Sequence, residues 1–481
     1  MKLGSSGGEC VGPNIERSLE TMDFSSDDTI TAVSTAPGRG GIALVRISGP
    51  RAFEMGSTLG LKRGRPREAL LSFVHDSRGR TLDRVLVTHF ENPHSYTGED
   101  TIEISCHGGA LISALIVDAT CSVGARVAGP GEFTKRAYLN GKLDLIQAEA
   151  TLDMIDSTSL AYHGSAMSHL SGALSDRVMA LRQRLLEVQA AIGYDIDFPE
   201  EDDGPIPTER ILSLAEGLKG EIEYLLRYAP EGTRLRSGAL TVISGRPNVG
   251  KSSLFNVLQG RARSIVTETP GTTRDAVEAD ITIGGYPFTL VDTAGVRDDA
   301  EPIEELGIEM ARGYLDRADV ILLCVDHGRS PSRADLDLVK EVCQLGATLI
   351  IVRTKADLTD RHEGVIVVEG RDDVSLEAAL SVSSITGEGL PELRDNLVRE
   401  MFANLRSSGE PALVTRKRHI RALESAQRDL KEFDSVVCRG YPMEIANTHL
   451  TTAADALESL IGVTDVEDVL DSIFQLFCVG K

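Results

Sequence analysis

The chain has 481 residues, which is too long for one ordinary domain and predicts two or three. Lys and Arg number 50 and Asp and Glu number 73, and the formal net charge is −23. This acidic balance argues against broad electrostatic binding to nucleic acid, although a local basic patch could still bind it. A hydrophobic content of 41% is typical of a globular protein and excludes long disorder or low complexity throughout.

Residues 1–28 contain no apolar segment of the kind that a secretory signal requires. Their acidic residues outnumber the basic ones, which argues against a transit peptide, and we expect a disordered tail there. Seven cysteines with no C-x-x-C pair argue against a disulfide framework or a zinc ribbon. Free thiols fit a reducing compartment, so we expect a cytoplasmic protein. No apolar run approaches the roughly 20 residues of a membrane helix.

Strand and helix signals are mixed between residues 29 and 147. The segment GIALVRISG predicts a buried strand, and TIEISCHGG predicts an alternating strand with Ile102 and Ile104 on one face. Residues 29–147 are therefore predicted to form an α+β N-terminal domain.

Helical periodicity dominates residues 148–235. The apolar stripe of a first long helix consists of Leu170, Leu174, Val178, Leu181, Leu185, Val188 and Ile192. A second stripe consists of Ile211, Leu214, Leu218, Ile222 and Leu225. The acidic run from Asp195 to Asp203 is expected to be a solvated loop, and EGTRLRSG is expected to be a linker.

Between residues 236 and 403, short apolar strands alternate with helical segments, which predicts a doubly wound α/β domain. NLRSSGEP resembles another linker, and helical periodicity returns in residues 404–481. The α/β domain is therefore predicted to be inserted in a discontinuous α-helical domain whose two pieces pack together. The alternative is two separate helical arms.

A phosphate-binding loop is the strongest motif of the α/β region. Gly245 to Ser252 matches G-x-x-x-x-G-K-[ST], after the strand ALTVIS and before a helical segment. Its glycines allow backbone N–H groups to surround phosphates. Lys251 would reach the β- and γ-phosphates, and the Ser252 hydroxyl would bind Mg²⁺.

Three further motifs follow in the order found in GTPases. Asp292 to Gly295 comes directly after the strand YPFTLV, where a carboxylate can hold Mg²⁺ through water. The carboxylate of Asp357 can accept hydrogen bonds from guanine, and the segment from Ser383 can donate to its O6. Together these motifs resemble those of the translation-factor-class GTPases. Thr354 stands where these proteins usually have Asn, and because a hydroxyl offers fewer hydrogen bonds, we expect weaker nucleotide binding with unchanged base choice.

The residue that orients the attacking water is not the usual one. Ras-like enzymes have Gln directly after the glycine of this second motif, whereas this chain has Val296. Glu304 is the nearest acidic candidate, and the alternative is that it is a solvated glutamate at a helix start. In the oxygen-rich loop of residues 265–275, Thr273 is a candidate second Mg²⁺ ligand. With Asn248, this loop could hold a monovalent cation where other GTPases use an arginine finger.

The chain as a whole resembles the MnmE family, also called TrmE, of tRNA uridine-5-carboxymethylaminomethyl modification GTPases. The resemblance runs from about Thr29 to Lys481. It rests on PGRGGIALVRISG, SYTGEDTIEISCHGG, GPGEFTKRAYLNGKLDLIQAEA, GRPNVGKSSLFN, GTTRD and the terminal FCVGK.

The resemblance implies an N-terminal tetrahydrofolate-binding and dimerisation domain, a helical domain and a K⁺-dependent GTPase domain. It implies a homodimer that works with the FAD-dependent protein MnmG, in a heterotetramer or larger complex. GTP or GDP, Mg²⁺, K⁺ and 5-formyl- or 5,10-methylene-tetrahydrofolate are the expected cofactors. The expected reaction adds a carboxymethylaminomethyl or aminomethyl group to C5 of the wobble uridine of certain tRNAs.

The resemblance also assigns residues. The expected GTP-binding residues are Asn248, Val249, Gly250, Lys251, Ser252, Ser253, Thr267, Glu268, Thr269, Pro270, Gly271, Thr272, Thr273, Asp292, Thr293, Ala294, Gly295, Thr354, Lys355, Asp357, Ser383 and Ser384. The expected K⁺ ligands are Asn248, Thr267, Thr269 and Thr272, and the expected Mg²⁺ ligands are Ser252 and Thr273. Glu304 takes the place of the catalytic glutamate. The expected folate contacts are Arg46, Glu103, Lys142 and Lys481.

Cys478 belongs to the terminal motif Cys-Val-Gly-Lys, which follows the apolar stripe of a C-terminal helix. A nearby ammonium could make its thiol nucleophilic, whereas the alternative is a small buried apolar residue. Because the family shares the motif, we expect the tail to lie in the folate site, with Cys478 a catalytic candidate. The basic stretch from Thr415 to Arg421 could touch tRNA phosphates or form a solvated helix face.

Two other functions compete with a tRNA-modifying GTPase. A GTP-switched ribosome-assembly factor fits the phosphate-binding loop, but not the folate-like N-terminal domain or Cys478. A scaffold that only positions a partner enzyme would not need the Cys478 thiol.

Overall fold

The computed structural model describes residues 28–197, 207–260, 278–293, 312–326, 339–340, 342–358, 379–408, 414–462, 470 and 473–480. The described residues divide into two compact units. One comprises the chain up to residue 142 together with 474–480, and the other comprises 143–473. None of the helices in the described ranges is long and apolar enough to span a bilayer.

A six-stranded sheet forms the centre of the first unit. Its strands are β1 (Ile30–Val33), β2 (Ile42–Ser48), β3 (Leu70–His75), β4 (Thr81–Phe90), β5 (Thr101–His107) and β6 (Arg126–Val127). They lie in the order β3-β4-β5-β2-β1-β6, antiparallel except for the parallel pair β1 and β6. The predicted strands GIALVRISG and TIEISCHGG correspond to the adjacent strands β2 and β5.

Three helices complete the first unit and make it the α+β domain that the sequence predicts. They are α1 (Ala52–Thr58), α2 (Ala110–Ser122) and α3 (Glu132–Leu139). Alternate strand residues, among them Ile102 and Ile104, are fully buried with Ile116 of α2. Phe133 of α3 is buried with Ile30 and Ala32 in a second apolar cluster.

The described C-terminal tail packs in the first unit, whereas the sequence predicts that it belongs with the helices that follow residue 404. Phe474 and Phe477 are buried, and Val479 pairs with Pro130 in an antiparallel bridge. Gly480 has a φ of +99°, and a Cβ at this position would lie 2.1 Å from the Val33 carbonyl oxygen. Only glycine therefore fits where the tail passes β1.

Seven helices of the described chain form the helical part of the second unit. They are α4 (Leu145–Asp156), α5 (Leu160–Leu170), α6 (Ala173–Asp197), α7 (Thr208–Arg227), α8 (Ala229–Ser237), α11 (Lys417–Cys438) and α12 (Met443–Ile461). Residues of α6, α7, α11 and α12 share one apolar core. The two separated helical segments thus pack as one discontinuous bundle, and the prediction of a single helical domain is confirmed.

The helix details differ from the sequence prediction at three places. Leu170 ends α5 and does not belong to α6. On α7, Leu214 is 43% exposed and Ala215 occupies the buried position instead. The predicted linker EGTRLRSG is wrong, because these residues form most of α8. The acidic run from Asp195 begins within α6, and residues 198–206 lie outside the described ranges.

The α/β part of the second unit has six described strands. They are β7 (Ala239–Gly245), β8 (Glu278–Ile283), β9 (Tyr286–Asp292), β10 (Val320–Asp326), β11 (Thr348–Thr354) and β12 (Leu380–Ser381). Their order is β12-β11-β10-β7-β9-β8, and only β8 is antiparallel to its neighbour. Helices α9 (Lys251–Gly260) and α10 (Leu390–Ser408) pack against this sheet. The predicted doubly wound α/β domain is confirmed.

Helix α10 is interrupted at Phe402, whose φ of −137° and ψ of 32° are not helical. The ring of Phe402 stacks on Tyr286 of β9, with ring centroids 4.6 Å apart. An interrupted helix leaves backbone groups unpaired on both sides of the break. Helix α8 supplies partners for both sides, since Arg234 donates to the Met401 carbonyl and Glu231 accepts from backbone N–H groups beyond the break.

Candidate nucleotide site and the folate-site residues

The phosphate-binding loop joins β7 to α9 through backbone conformations that favour glycine. The φ angles are +145° at Gly245 and +103° at Gly250. A Cβ at residue 245 would lie 2.5 Å from the Cys324 carbonyl oxygen, so only glycine fits against β10 there. The loop leads directly into the first turn of α9, whose backbone N–H groups form an anion-binding end.

Lys251 and Ser252 begin α9. The buried Lys251 ammonium donates to the carbonyls of Gly245, at 2.9 Å, and Arg246, at 2.8 Å, and so lies inside the curve of the loop. Ser252 is exposed, and its hydroxyl is accessible to a metal ion. Asn248, Val249, Gly250 and Ser253 complete the described loop residues of the predicted site.

Asp292 ends β9 and pairs in register with Ile243 of β7, the strand that leads into the loop. It is buried, as is Thr293, whose hydroxyl donates to the Ile243 carbonyl at 2.9 Å. The two adjacent parallel strands therefore bring the Asp292 carboxylate to the edge of the sheet from which the loop starts. This is the position expected for a carboxylate that holds Mg²⁺.

The residues predicted to recognise guanine come together at the ends of β11 and β12. The Ser383 hydroxyl donates to the Asp357 carboxylate at 2.6 Å. The same hydroxyl oxygen accepts from the backbone N–H groups of Ile385 and Thr386. Asp357 is thus held by the loop that also contains Ser384.

Thr354 and Lys355 connect β11 to the phosphate-binding loop. The buried Thr354 hydroxyl lies within hydrogen-bond distance of the Val249 and Val325 carbonyls. A hydroxyl has one proton and can donate to only one of them at a time, whereas an Asn amide has two protons. The Lys355 ammonium donates to the Asn248 carbonyl at 2.8 Å and pairs with Asp326 at 3.0 Å.

Asp326 is a residue of this site that sequence reasoning missed. It ends β10, the strand VILLCVD, as Asp292 ends β9, the strand YPFTLVD. This repeated pattern, an acid at the end of a buried strand, was the signal that could have identified it.

Eleven predicted site residues lie outside the described ranges. They are Thr267, Glu268, Thr269, Pro270, Gly271, Thr272, Thr273, Ala294, Gly295, Glu304 and Lys481. The roles predicted for them, including most of the K⁺ ligands and the catalytic glutamate, stay predictions.

Arg46 and Glu103, two expected folate contacts, face each other on β2 and β5 of the first unit. Their side chains form an ion pair at 2.9 Å, and the guanidinium lies over the rings of Tyr96 and Phe133, with centroids 5.3 and 5.4 Å away. A charge in an otherwise apolar strand needs a partner, and here each of the two side chains is the partner of the other. Lys142, the third described contact, donates to the Pro93 carbonyl.

Cys478 is exposed, in the tail that packs in this same unit. Its carbonyl oxygen lies 3.5 Å from the Gly131 nitrogen. The expected alternative of a buried apolar cysteine is therefore wrong, because the thiol faces the surface of the first unit.

In the basic stretch from Thr415 to Arg421, Lys417 and Arg421 are exposed, whereas the other basic residues are engaged in the bundle. Arg416 pairs with Asp153 at 2.6 Å, and Arg418 binds both carboxylate oxygens of Glu149 at 3.1 and 3.0 Å. His419 is fully buried against Glu149 at 2.7 Å. Arg416, Arg418 and His419 are therefore part neither of a solvated helix face nor of a surface for phosphates.

Charge and burial set the protonation of this network. Burial alone would raise the pKa of Glu149, but His419, Arg418 and Arg416 outweigh it and lower that pKa well below its usual range. Burial lowers the pKa of His419. We therefore assign an ionised Glu149 and a neutral His419 that donates from Nε2.

The sheet order, the phosphate-binding loop, Asp292 beside it and the Asp357–Ser383 pair define a P-loop GTPase. The family models described as "GTP-binding protein TrmE N-terminus" and "MnmE helical domain" match residues 29–142 and 145–478. The chain belongs to the MnmE family of tRNA modification GTPases.

Similarity to individual relatives covers nearly the whole chain. The tRNA modification GTPase MnmE of Alkaliphilus metalliredigens is 38% identical over 95% of this chain and 99% of its own length. That of Stutzerimonas stutzeri is 38% identical over 94% of this chain and 99% of its own length. The solved G domain of the T. maritima FeoB iron transporter is 28% identical, covering 33% of this chain and 96% of its own, with a TM-score of 0.24.

Proposed function

We propose that this GTPase acts in the cytoplasm as a K⁺-dependent homodimer with an FAD-dependent partner of the MnmG type. The complex adds a carboxymethylaminomethyl or aminomethyl group to C5 of the wobble uridine of certain tRNAs. The one-carbon unit comes from tetrahydrofolate bound near Arg46, Glu103 and Lys142. Binding of GTP with Mg²⁺ orders the switch loops, and hydrolysis releases them, which drives the conformational cycle.

The observation that carries the proposal is the pairing of two different sites in one chain of this family. The second unit has the GTPase constellation around Lys251, Asp292 and Asp357. The first unit has the Arg46–Glu103 pair and receives the tail with Cys478, although the tail is distant in sequence. A simple GTP switch has no need of an exposed thiol held in place in this way.

The test is nucleoside mass spectrometry of tRNA from cells in which Cys478→Ser replaces the wild-type chain, beside a full deletion. We expect both strains to lose the substituent at C5 of the wobble uridine. Loss in the deletion alone would support a scaffold role in which the thiol takes no part. Normal modification in both strains would refute the proposal and favour ribosome assembly.

The K⁺ requirement has a separate test. Oxygen ligands around a monovalent cation would supply positive charge to the transition state of hydrolysis. GTP hydrolysis by the purified full-length chain should be at least about tenfold faster in KCl than in NaCl at equal ionic strength. Equal rates in the two salts would exclude a K⁺-dependent mechanism and leave the assignment of the modification reaction untouched.

A further inference from the structure

A GTPase that acts on tRNA has to approach a polyanion, and this chain has a net charge of −23. The basic stretch from Thr415 to Arg421, which could have touched tRNA phosphates or formed a solvated helix face, is only partly accessible. Arg416, Arg418 and His419 are engaged with Glu149 and Asp153 in the bundle. A surface for phosphates has to be sought elsewhere.

The first unit has the opposite charge balance to the whole chain. Residues 28–142 contain fourteen Lys and Arg and eleven Asp and Glu. Seven of these fourteen basic residues fall between residues 61 and 84, where only three acidic residues occur. Positive charge is therefore concentrated around β3 and β4.

The fold arranges much of this charge along one edge of the sheet. Strand β3 is an edge strand, and the segment before it runs beside it. The backbone N–H of His75 donates to the Leu59 carbonyl, and that of Lys62 donates to the Ser72 hydroxyl. Six residues of strand span about 20 Å.

Five basic side chains follow this edge, and we call them the basic rim. They are Lys62, Arg63, Arg65, Arg67 and, in the turn between β3 and β4, Arg78. All five are exposed. Phosphates of an RNA strand could be met along the whole edge, because the rim extends from the β3–β4 turn to the end of the preceding loop.

Not every cation of the basic rim is paired within the described part of the chain. Arg63 pairs with Glu91 at 3.3 Å, and Arg67 donates to the His94 carbonyl at 3.1 Å. Among the described residues, the side chains of Lys62, Arg65 and Arg78 have no ion pair or hydrogen bond. An RNA phosphate would provide the counter-charge for these three without the loss of any existing contact.

We propose that the basic rim binds phosphates of the tRNA substrate. The inference rests on the proposed function in tRNA modification and names the surface through which this chain meets that substrate. Contacts of this kind supply affinity and orientation, not sequence selection, which is consistent with a surface of Lys and Arg alone.

The experiment compares two variants of the full-length chain that lose the same charge. The rim variant is Lys62→Ala/Arg65→Ala/Arg78→Ala. The control is Lys417→Ala/Arg421→Ala/Arg439→Ala, which removes three exposed basic residues of the helical bundle, two of them from the basic stretch. Binding to an unmodified tRNA transcript is followed by fluorescence anisotropy between 0.05 and 0.3 M KCl, roughly the range over which phosphate contacts weaken.

We expect the rim variant to bind tRNA about 10- to 100-fold more weakly near 0.1 M KCl, with a log–log salt slope smaller by about 2 to 3. The control should bind as the wild type does. A charge-conserving variant, Arg65→Lys/Arg78→Lys, should keep the wild-type affinity and slope. Thermal unfolding and GTP hydrolysis of all variants should be unchanged, since none of the substituted side chains belongs to the nucleotide site.

Three results would overturn the proposal: a rim variant that binds normally, a control that loses as much affinity, or a wild-type chain that binds no tRNA. These results are distinct from failure of the proposed function. If deletion of the chain abolishes wobble-uridine modification while the rim variant binds tRNA normally, only the rim assignment fails. If modification persists in the deletion strain, the proposed function itself is wrong, whatever the rim variant does.

Discussion

The phosphate-binding loop and the Glu149 network both gather charged side chains, yet they are built in different ways. Lys251 and Lys355 donate to backbone carbonyls of a loop whose Asn248 and Ser252 are exposed. Glu149, by contrast, is enclosed by side chains of opposite charge or donor character and sits almost wholly inside the bundle. The phosphate-binding loop keeps polar groups accessible and can bind a ligand. In the Glu149 network the charged groups are bonded to one another, and the network stabilises the fold.

The largest expected effect on stability is at Glu149. Glu149→Gln would remove the buried negative charge that pairs with Arg418 and accepts from His419, at a cost of about 3–5 kcal/mol in the free energy of unfolding. Urea denaturation measures this. The matched control is Glu221→Gln, which breaks an exposed pair with Arg184 and should cost less than about 1 kcal/mol. Equal losses in the two variants would show that the Glu149 network stabilises the bundle no more than an exposed ion pair does.

Lys251→Ala should show the opposite pattern to Glu149→Gln. We expect kcat for GTP hydrolysis to fall about 100- to 1000-fold, because the ammonium no longer neutralises phosphate charge in the transition state. The midpoint of thermal unfolding without nucleotide should move little, because the ammonium donates to carbonyls of the loop itself. A large fall in that midpoint, with hydrolysis retained, would show that the lysine is structural.

The contacts that Glu231 and Arg234 of α8 make on the two sides of the break at Phe402 predict a smaller effect on stability. In Glu231→Gln, one amide oxygen replaces a carboxylate that accepts from the Asn404 and Leu405 N–H groups and from the Asn404 side chain. We expect a loss of about 1–2 kcal/mol in the free energy of unfolding. The control is Glu392→Gln, in the first turn of α10. An equal loss there would show that the contacts of Glu231 beyond the break have no special role.

The Glu149 network also predicts how stability depends on pH. The folded pKa of His419 is below its ordinary 6.5 and that of Glu149 below its ordinary 4.5, so the unfolded chain binds protons first at each group. Stability should therefore fall as pH drops below about 6.5 and again below about 4.5, by at most about 1.4 kcal/mol per pH unit for each group. His419→Gln should flatten the upper step, and an unchanged profile would show that folding does not lower the pKa of His419.

Thr354 is expected to have the smallest effect. The hydroxyl keeps one hydrogen bond to the phosphate-binding loop. The second proton of an Asn amide would therefore add at most about 0.5–1.5 kcal/mol to the free energy of nucleotide binding. Thr354→Asn should therefore tighten GDP binding no more than about tenfold, measured by equilibrium titration, with guanine still preferred over adenine. Thr354→Val, which has no donor, should weaken it. Tighter binding by Thr354→Val would show that the hydroxyl bond is not used.

The sequence predicted those elements whose information is local. Strands β2 and β5 and the buried face of α6 follow from apolar periodicity, and the phosphate-binding loop follows from its motif in strand–helix context. Helix α8 was missed because TRLRSG has no apolar period. Its Glu231 and Arg234 contact residues more than 80 positions away, and such contacts are invisible to a local pattern.

The same limit applies to the sites. That Arg46 needs a partner was predictable from its apolar strand, but the identity of Glu103 as that partner depends on the register of two strands 57 residues apart. Likewise, the basic stretch near Arg418 was ambiguous because Glu149 lies 269 positions before it. Local charge density does not reveal whether a cation meets solvent, RNA or a buried carboxylate.

The contacts of α8 with α10 around Phe402 have a practical consequence for anyone who wishes to isolate the GTPase domain. A fragment cut at the boundaries suggested by composition, 236–403, would discard Glu231 and Arg234 together with the end of α10 that Glu231 binds. Both ends of such a fragment would fray. A fragment that begins at about Ala229 and ends after Ser408 would keep α8 and the whole of α10. The contacts that hold the two ends of the domain together would then lie within the fragment.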